Sequence, residues 1–175
     1  MAASAPETLT LKKHRDRAGE HWKPWARRAL LALLAVIPLL AAFNVFGQRP
    51  STQTVETPAA KLSLYAPTHV RGGLLFMGRF HIHANRDIKK AILILDPGWA
   101  ENITINTIEP SPLGEGSVNG RISLELGHIP QGQSFVLYMD FQVNPTNVGH
   151  RSTDVELYDD KTKLLKLHRT ITVFP

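Results

Sequence analysis

Residues 73–84 read Gly73-Leu74-Leu75-Phe76-Met77-Gly78-Arg79-Phe80-His81-Ile82-His83-Ala84. Successive side chains of a strand point to opposite faces, so this stretch sorts cleanly in two. Leu74, Phe76, Phe80 and Ile82 fall on one face. Leu75, Met77, Arg79, His81 and His83 fall on the other. Downstream, Phe135, Leu137, Met139, Phe141 and Val143 share one face over nine residues. No window longer than a turn between residues 62 and 175 shows a helical stripe.

The flanking sequence supplies further strands and the turns between them. Leu62 to Tyr65 opens the region. Ala91 to Leu95 is an apolar strand stopped by Asp96-Pro97-Gly98, and Ile103 to Ile108 is rich in β-branched residues. Asn119-Gly120 predicts a tight hairpin into Ile122, Leu124 and Leu126. Val155, Leu157, Leu165, Leu167, Ile171 and Val173 predict a final hairpin around Asp159-Asp160. Seven or eight short strands at this spacing predict an all-β domain over 62–175, an immunoglobulin-like β-sandwich without its disulfide. Trp99, directly after the turn, is expected to plug one end of the core.

Upstream, Ala29 to Phe46 is eighteen residues without a charge. Asn44 is its only polar side chain and Pro38 its only helix-breaker. About 17 apolar residues is the lower limit for crossing a bilayer. The run predicts one transmembrane helix over 25–47, with Trp22 and Trp25 at the interface and Arg27 and Arg28 flanking its start. The alternative is a signal peptide cut behind Gly47, which would release a secreted binding module. Residues 1–24 read as a disordered basic tail, and 48–61, with two prolines and only Val55 as a large hydrophobe, as an extended stalk.

Charge orients the chain. Residues 1–28 hold seven basic and three acidic side chains, while the other 147 hold thirteen and twelve. The positive-inside rule puts the tail in the cytoplasm and the domain outside, anchored in the cytoplasmic membrane. The basic excess lies in the tail, which argues against a nucleic-acid-binding domain. The absence of cysteine excludes a disulfide scaffold, a thiol nucleophile and an iron–sulfur site.

Leu126-Gly127-His128-Ile129-Pro130-Gln131-Gly132-Gln133 is a "leucine, glycine, x, isoleucine, proline, x, glycine" turn feeding a long strand. With the early strand from Gly73 to Ala84 and the Ala91–Leu95 strand before Asp96-Pro97-Gly98, it resembles the adhesion-type and conserved-repeat (CARDB-like) immunoglobulin-like modules of bacterial surface proteins. The resemblance covers roughly residues 62–160 in a single copy. It implies a binding or spacing module without catalysis.

No catalytic residue, resident metal or cofactor is expected. Asp154 with Glu156, and Glu125 with Asp140 on neighbouring strands, read as solvated carboxylates. His81 and His83 share a strand face and open the alternative of a metal-handling or hydrolytic ectodomain, which needs further ligands. The expected partner site is the loop carrying Asn144, Pro145, Thr146, Asn147, His150 and Arg151. Loops on a rigid sandwich carry recognition. The expected partners are the bilayer and another membrane or envelope protein, with the chain as an accessory subunit of a membrane complex and no nucleic acid bound.

Overall fold

The computed structural model describes residues 22–43 and 48–174. They fall into two compact units, a helix and a β-sandwich.

The helix, α1, runs Trp22–Ala42 with no buried residue. Phe43 N still donates to Leu39 O at 3.1 Å. At about 1.5 Å per residue, α1 is about 30 Å long, the thickness of a hydrocarbon core. Its length and composition suit a membrane span, and its place near the N-terminus also suits a signal sequence. It starts three residues before the expected span, so Trp22 to Pro24 belong to the helix rather than to a disordered tail. Pro24 fits there because first-turn N–H groups have no intrahelical acceptor. The rest of the expected tail, and 44–47 of the expected span, lie outside the described residues.

The sandwich has thirteen strands among the described residues: β1 Pro50–Glu56, β2 Ala60–Pro67, β3 His69–Arg71, β4 Leu75–Ala84, β5 Ile88–Leu95, β6 Ile103–Glu109, β7 Gly114–Val118, β8 Arg121–Ile129, β9 Ser134–Val143, β10 Gly149–Ser152, β11 Val155–Asp159, β12 Thr162–Leu167 and β13 Thr170–Phe174. One five-stranded sheet has the order β1-β2-β4-β9-β6, the other β12-β11-β5-β8-β7. Both are antiparallel throughout. A small sheet, β10-β13-β3, adds one parallel pair between β13 and β3. Ile171 and Val173 therefore belong to this small sheet, not to the β11–β12 hairpin as expected.

Inward side chains of all three sheets form one core. The β4 alternation holds: Phe76, Phe80 and Ile82 are buried and Leu75, Met77, Arg79 and His81 are exposed. Leu74 precedes the strand and is exposed. Asn119 and Gly120 both have positive φ, 53° and 75°, and close the β7–β8 hairpin. The expected stalk is corrected. Its residues 50–56 pair along their whole length with β2, from Pro50↔Pro67 to Glu56↔Lys61. An edge strand tolerates Pro50 and a polar outer face because only one side enters the ladder.

Trp99 is fully buried, held by a short 3₁₀ turn, Pro97–Trp99. Gly98 permits that turn, since a Cβ there would lie 2.1 Å from Ser152 O and 3.0 Å from Arg151 Cβ. The obstacle is mostly backbone, so Gly98→Ala must push the turn off β10. The expected outcome is a loss of about 2 kcal/mol, read as a lowered urea midpoint.

Candidate functional site

Of the recognition surface expected on 144–151, residues 144–148 form a loop pinned from below, while Gly149, His150 and Arg151 lie in strand β10, paired with β13 rather than in the loop. After β9 ends at Val143, Asn144 N donates to Asn102 O at 3.0 Å. Asn144 Oδ1 accepts from Thr146 N at 3.1 Å and Thr146 Oγ1 at 2.9 Å, an Asx turn. Asn147 is buried, its Nδ2 donating to Glu101 O at 3.4 Å and Asn102 O at 3.3 Å. Arg151 clamps it: Nε and Nη2 donate to Asn147 Oδ1 at 3.1 and 2.9 Å, and Nη1 to Glu101 Oε1 at 2.8 Å. His150 Nδ1 lies 2.9 Å from Thr172 Oγ1 on β13.

The expected residues thus divide. Asn147 and Arg151 hold the loop, while Asn144, Pro145, Thr146 and His150 are at the surface with Val148 beside them. Residue type did not give the division, since Asn144 and Asn147 fall on opposite sides of it. Asn and Arg offer several planar hydrogen-bonding groups suited to backbone capping. Trp22, Trp25, Arg27 and Arg28 are all exposed on α1, with the Arg28 guanidinium 5.4 Å from the Trp25 ring centre.

His81 and His83 do project from the same face of β4, and His83 Nδ1 lies 2.9 Å from Ser134 Oγ. Among the described residues no group of three or more His, Cys, Asp or Glu side chains is placed to hold a metal ion. His81 lines a shallow groove of about 430 Å³ with Arg79, Tyr65 and Tyr138. There Arg79 stacks 5.2 Å over the Tyr65 ring.

Two carboxylate expectations are corrected. Glu125 on β8 and Asp140 on β9 lie in different sheets. Asp154 and Glu156 are not solvated: they are 9% and 3% exposed. Glu156 Oε2 accepts from Arg121 Nη1 at 3.0 Å and Tyr158 OH at 2.9 Å, and Oε1 from Lys163 Nζ at 3.0 Å. Lys166 Nζ sits 2.9 Å from Asp154 Oδ2 and 3.6 Å from Glu156 Oε1. Burial pushes the Glu156 carboxyl up, but hydrogen bonds from Lys163, Tyr158 and Arg121 outweigh it and hold it at about 2. Asp154 is lowered likewise: burial opposes, and the Arg169 N–H, Lys166 and His168 prevail.

The structure therefore defines the class: a mostly antiparallel β-sandwich with one N-terminal apolar helix. No protein-family model matches the sequence, and no curated protein sequence matches it. Among solved structures the chain is similar to a non-cellulosomal cohesin from Archaeoglobus fulgidus, at 14% identity and TM-score 0.42, covering 63% of this chain and 88% of that one. It is similar to a GAE domain from Saccharomyces cerevisiae, at 9% identity and TM-score 0.37, covering 71% and 98%. A CARDB domain from Pyrococcus furiosus, solved with di-metal ions, aligns at 13% identity and TM-score 0.36, covering 72% and 94%. These likenesses concern the fold alone.

Proposed function

We propose that the chain is a non-catalytic, single-pass protein of the cytoplasmic membrane. Its N-terminus is cytoplasmic and its sandwich is outside, binding another membrane or envelope protein as an accessory subunit. The observation that carries this reading is the preorganised loop. Asn147 and Arg151 fix its backbone, and Pro145, Thr146, Val148 and His150 are presented outward. A surface already in one conformation loses little entropy on binding. The orientation is supported by the seven basic residues up to Arg28.

The test is crosslinked affinity purification of the full-length chain from native membranes, beside a Thr146→Arg plus Val148→Glu variant. The expected result is one stoichiometric membrane partner, lost in the variant at unchanged thermal stability. Recovery of the chain alone, or equal capture by the variant, overturns the reading. Fractionation accompanies it: a full-size chain in the membrane pellet is expected, and a shorter soluble form indicates cleavage behind Gly47 and a free module.

A further inference from the structure

The registers Thr52↔Tyr65, Tyr65↔Arg79, Arg79↔Tyr138 and Tyr138↔Glu109 set one row of side chains across the β1-β2-β4-β9-β6 sheet. Directly opposite residues share a face, with Cβ atoms about 5 Å apart. The neighbouring row is Thr54, Ser63, His81 and Val136, two residues along each strand. These two rows, on the outer face of the sheet, supply every residue that lines the groove of about 430 Å³.

The chemistry of that lining is one-sided. The Arg79 guanidinium lies 5.2 Å over the Tyr65 ring, so the half-buried ring props a planar cation in place. Among the described residues, no hydrogen bond or ion pair engages this guanidinium, the His81 ring or the Tyr65 and Tyr138 hydroxyls. Arginine offers donors only, and no carboxylate lines the groove. On the same face Glu109 lies beyond Tyr138, Asp140 lies opposite Met77, and Glu56 pairs with Lys61 at 3.1 Å. A ligand seated over Arg79 must therefore bring the acceptors and the negative charge.

Position in the sheet selects the class of ligand. β2, β4 and β9 are each paired on both sides, so a peptide strand finds no free backbone group over the middle of the row. Apolar pockets for peptide side chains are missing too, since Val136 is the one aliphatic residue in the lining. A sugar needs neither. Its C–H face packs on the negative face of an aromatic ring, and Tyr138, 41% exposed, presents one. A carboxylate on the sugar matches the fork of the guanidinium.

We propose that the Tyr65–Arg79–Tyr138 row is a binding site for acidic saccharides, chains that carry uronic acid residues. Arg79 takes the carboxylate, Tyr138 packs on the sugar ring and Tyr65 positions the guanidinium. His81 and Ser63 stand beside them as hydrogen-bonding groups for sugar hydroxyls. The site is separate from the 144–148 loop and does not depend on the membrane-span reading.

The test is isothermal titration calorimetry on the purified full-length chain in detergent micelles. The probes are trisaccharides of galacturonate, mannuronate and glucuronate, a neutral glucose trisaccharide, and a hexaglutamate peptide. At least one uronate is expected to bind about tenfold or more tightly than the neutral sugar and the peptide. Arg79→Gln and Tyr138→Ala should each weaken that binding by about tenfold or more at an unchanged thermal midpoint. Arg79→Lys, which keeps the charge and loses the fork, should recover only part, and Tyr138→Phe should keep most of the affinity. Lys89→Gln removes an exposed cation from β5 and should leave binding as it is. Failure of all three uronates to bind overturns the proposal. Equal loss in Lys89→Gln and Arg79→Gln also overturns it, because the attraction is then one of net charge. Equal binding of the neutral sugar removes the role of the carboxylate, and a preference for hexaglutamate gives the groove to an acidic peptide; either result sinks the assignment.

Discussion

Trp99→Ala is expected to remove about 5 kcal/mol of stability, enough to leave about half of the molecules unfolded at room temperature if the total lies at the lower end of the usual range. The indole is fully buried, tilted against Phe80 at 5.5 Å and Phe141 at 5.0 Å, with Phe76 stacked behind Phe141 at 4.9 Å. Deleting such a side chain costs about 3–5 kcal/mol in lost contacts and cavity. Two further losses follow. Trp99 Nε1 donates to Thr153 O at 2.9 Å, and that carbonyl would lose its donor. The Arg169 guanidinium lies 5.3 Å over the ring and is 4% exposed. It donates to Thr153 Oγ1 at 3.3 Å and to Pro67 O. Burial pushes its pKa down to about 10. The indole face is thus part of what stabilises a charge held away from water. Trp99→Phe keeps an aromatic face and loses the N–H, so it should cost about 2 kcal/mol. Arg169→Met in the Trp99→Ala background should cost less than in the native chain, because the two side chains act together. Urea unfolding followed by far-ultraviolet circular dichroism measures all four. A Trp99→Ala midpoint within error of the native one would show that the indole is not the end plug.

The features legible in the sequence were those written locally. The period-two runs of β4 and β9 needed only their own residues, and Asn119-Gly120 announced its hairpin through two positive-φ positions. The β1 strand was hidden because a polar edge strand and an extended linker have the same composition. Only Gln53 and Val55 turn inward from it, and both remain half-buried. With three residues, β3 is too short to show a period, and its parallel partner β13 lies about a hundred residues away. The loop at 144–148 was legible by residue type, but not that Gly149–Ser152 would leave it to pair with β13. That Asn147 and Arg151 would be turned inward depended on the Glu101-Asn102 backbone arriving from the Trp99 turn. Glu156 was misread for the same reason: its cations come from β8 and β12, on either side of β5 and β11.

That long-range assembly makes Glu156→Gln the second large effect, with a defined pH signature. The Glu156 carboxyl stands at about 2 in the folded chain against an ordinary value of 4.5. A folded value below the unfolded one means that the unfolded chain binds more protons between the two. Stability from this group is therefore complete above about pH 5 and disappears as pH falls toward 2. The full shift corresponds to about 3 kcal/mol. Lys163 and Lys166 are 47% and 32% exposed, so solvent screening reduces the expected contribution to about 2 kcal/mol. Asp154, lowered in the same direction, adds to the acid sensitivity of this face. Glu156→Gln keeps the shape and removes the charge, leaving Arg121 with Asp96 at 3.8 Å as its remaining carboxylate. At pH 7 the variant should be less stable by about 2 kcal/mol. The gap should begin to narrow by pH 4 and fall to about a quarter of its pH 7 size by pH 2.5, because the native chain loses there most of what the variant never had. Glu115→Gln, on the exposed edge strand β7, should track the native chain throughout. Urea midpoints at pH 7, 4 and 2.5 decide the matter. A gap that stays constant with pH would assign the loss to altered packing rather than to the carboxylate charge.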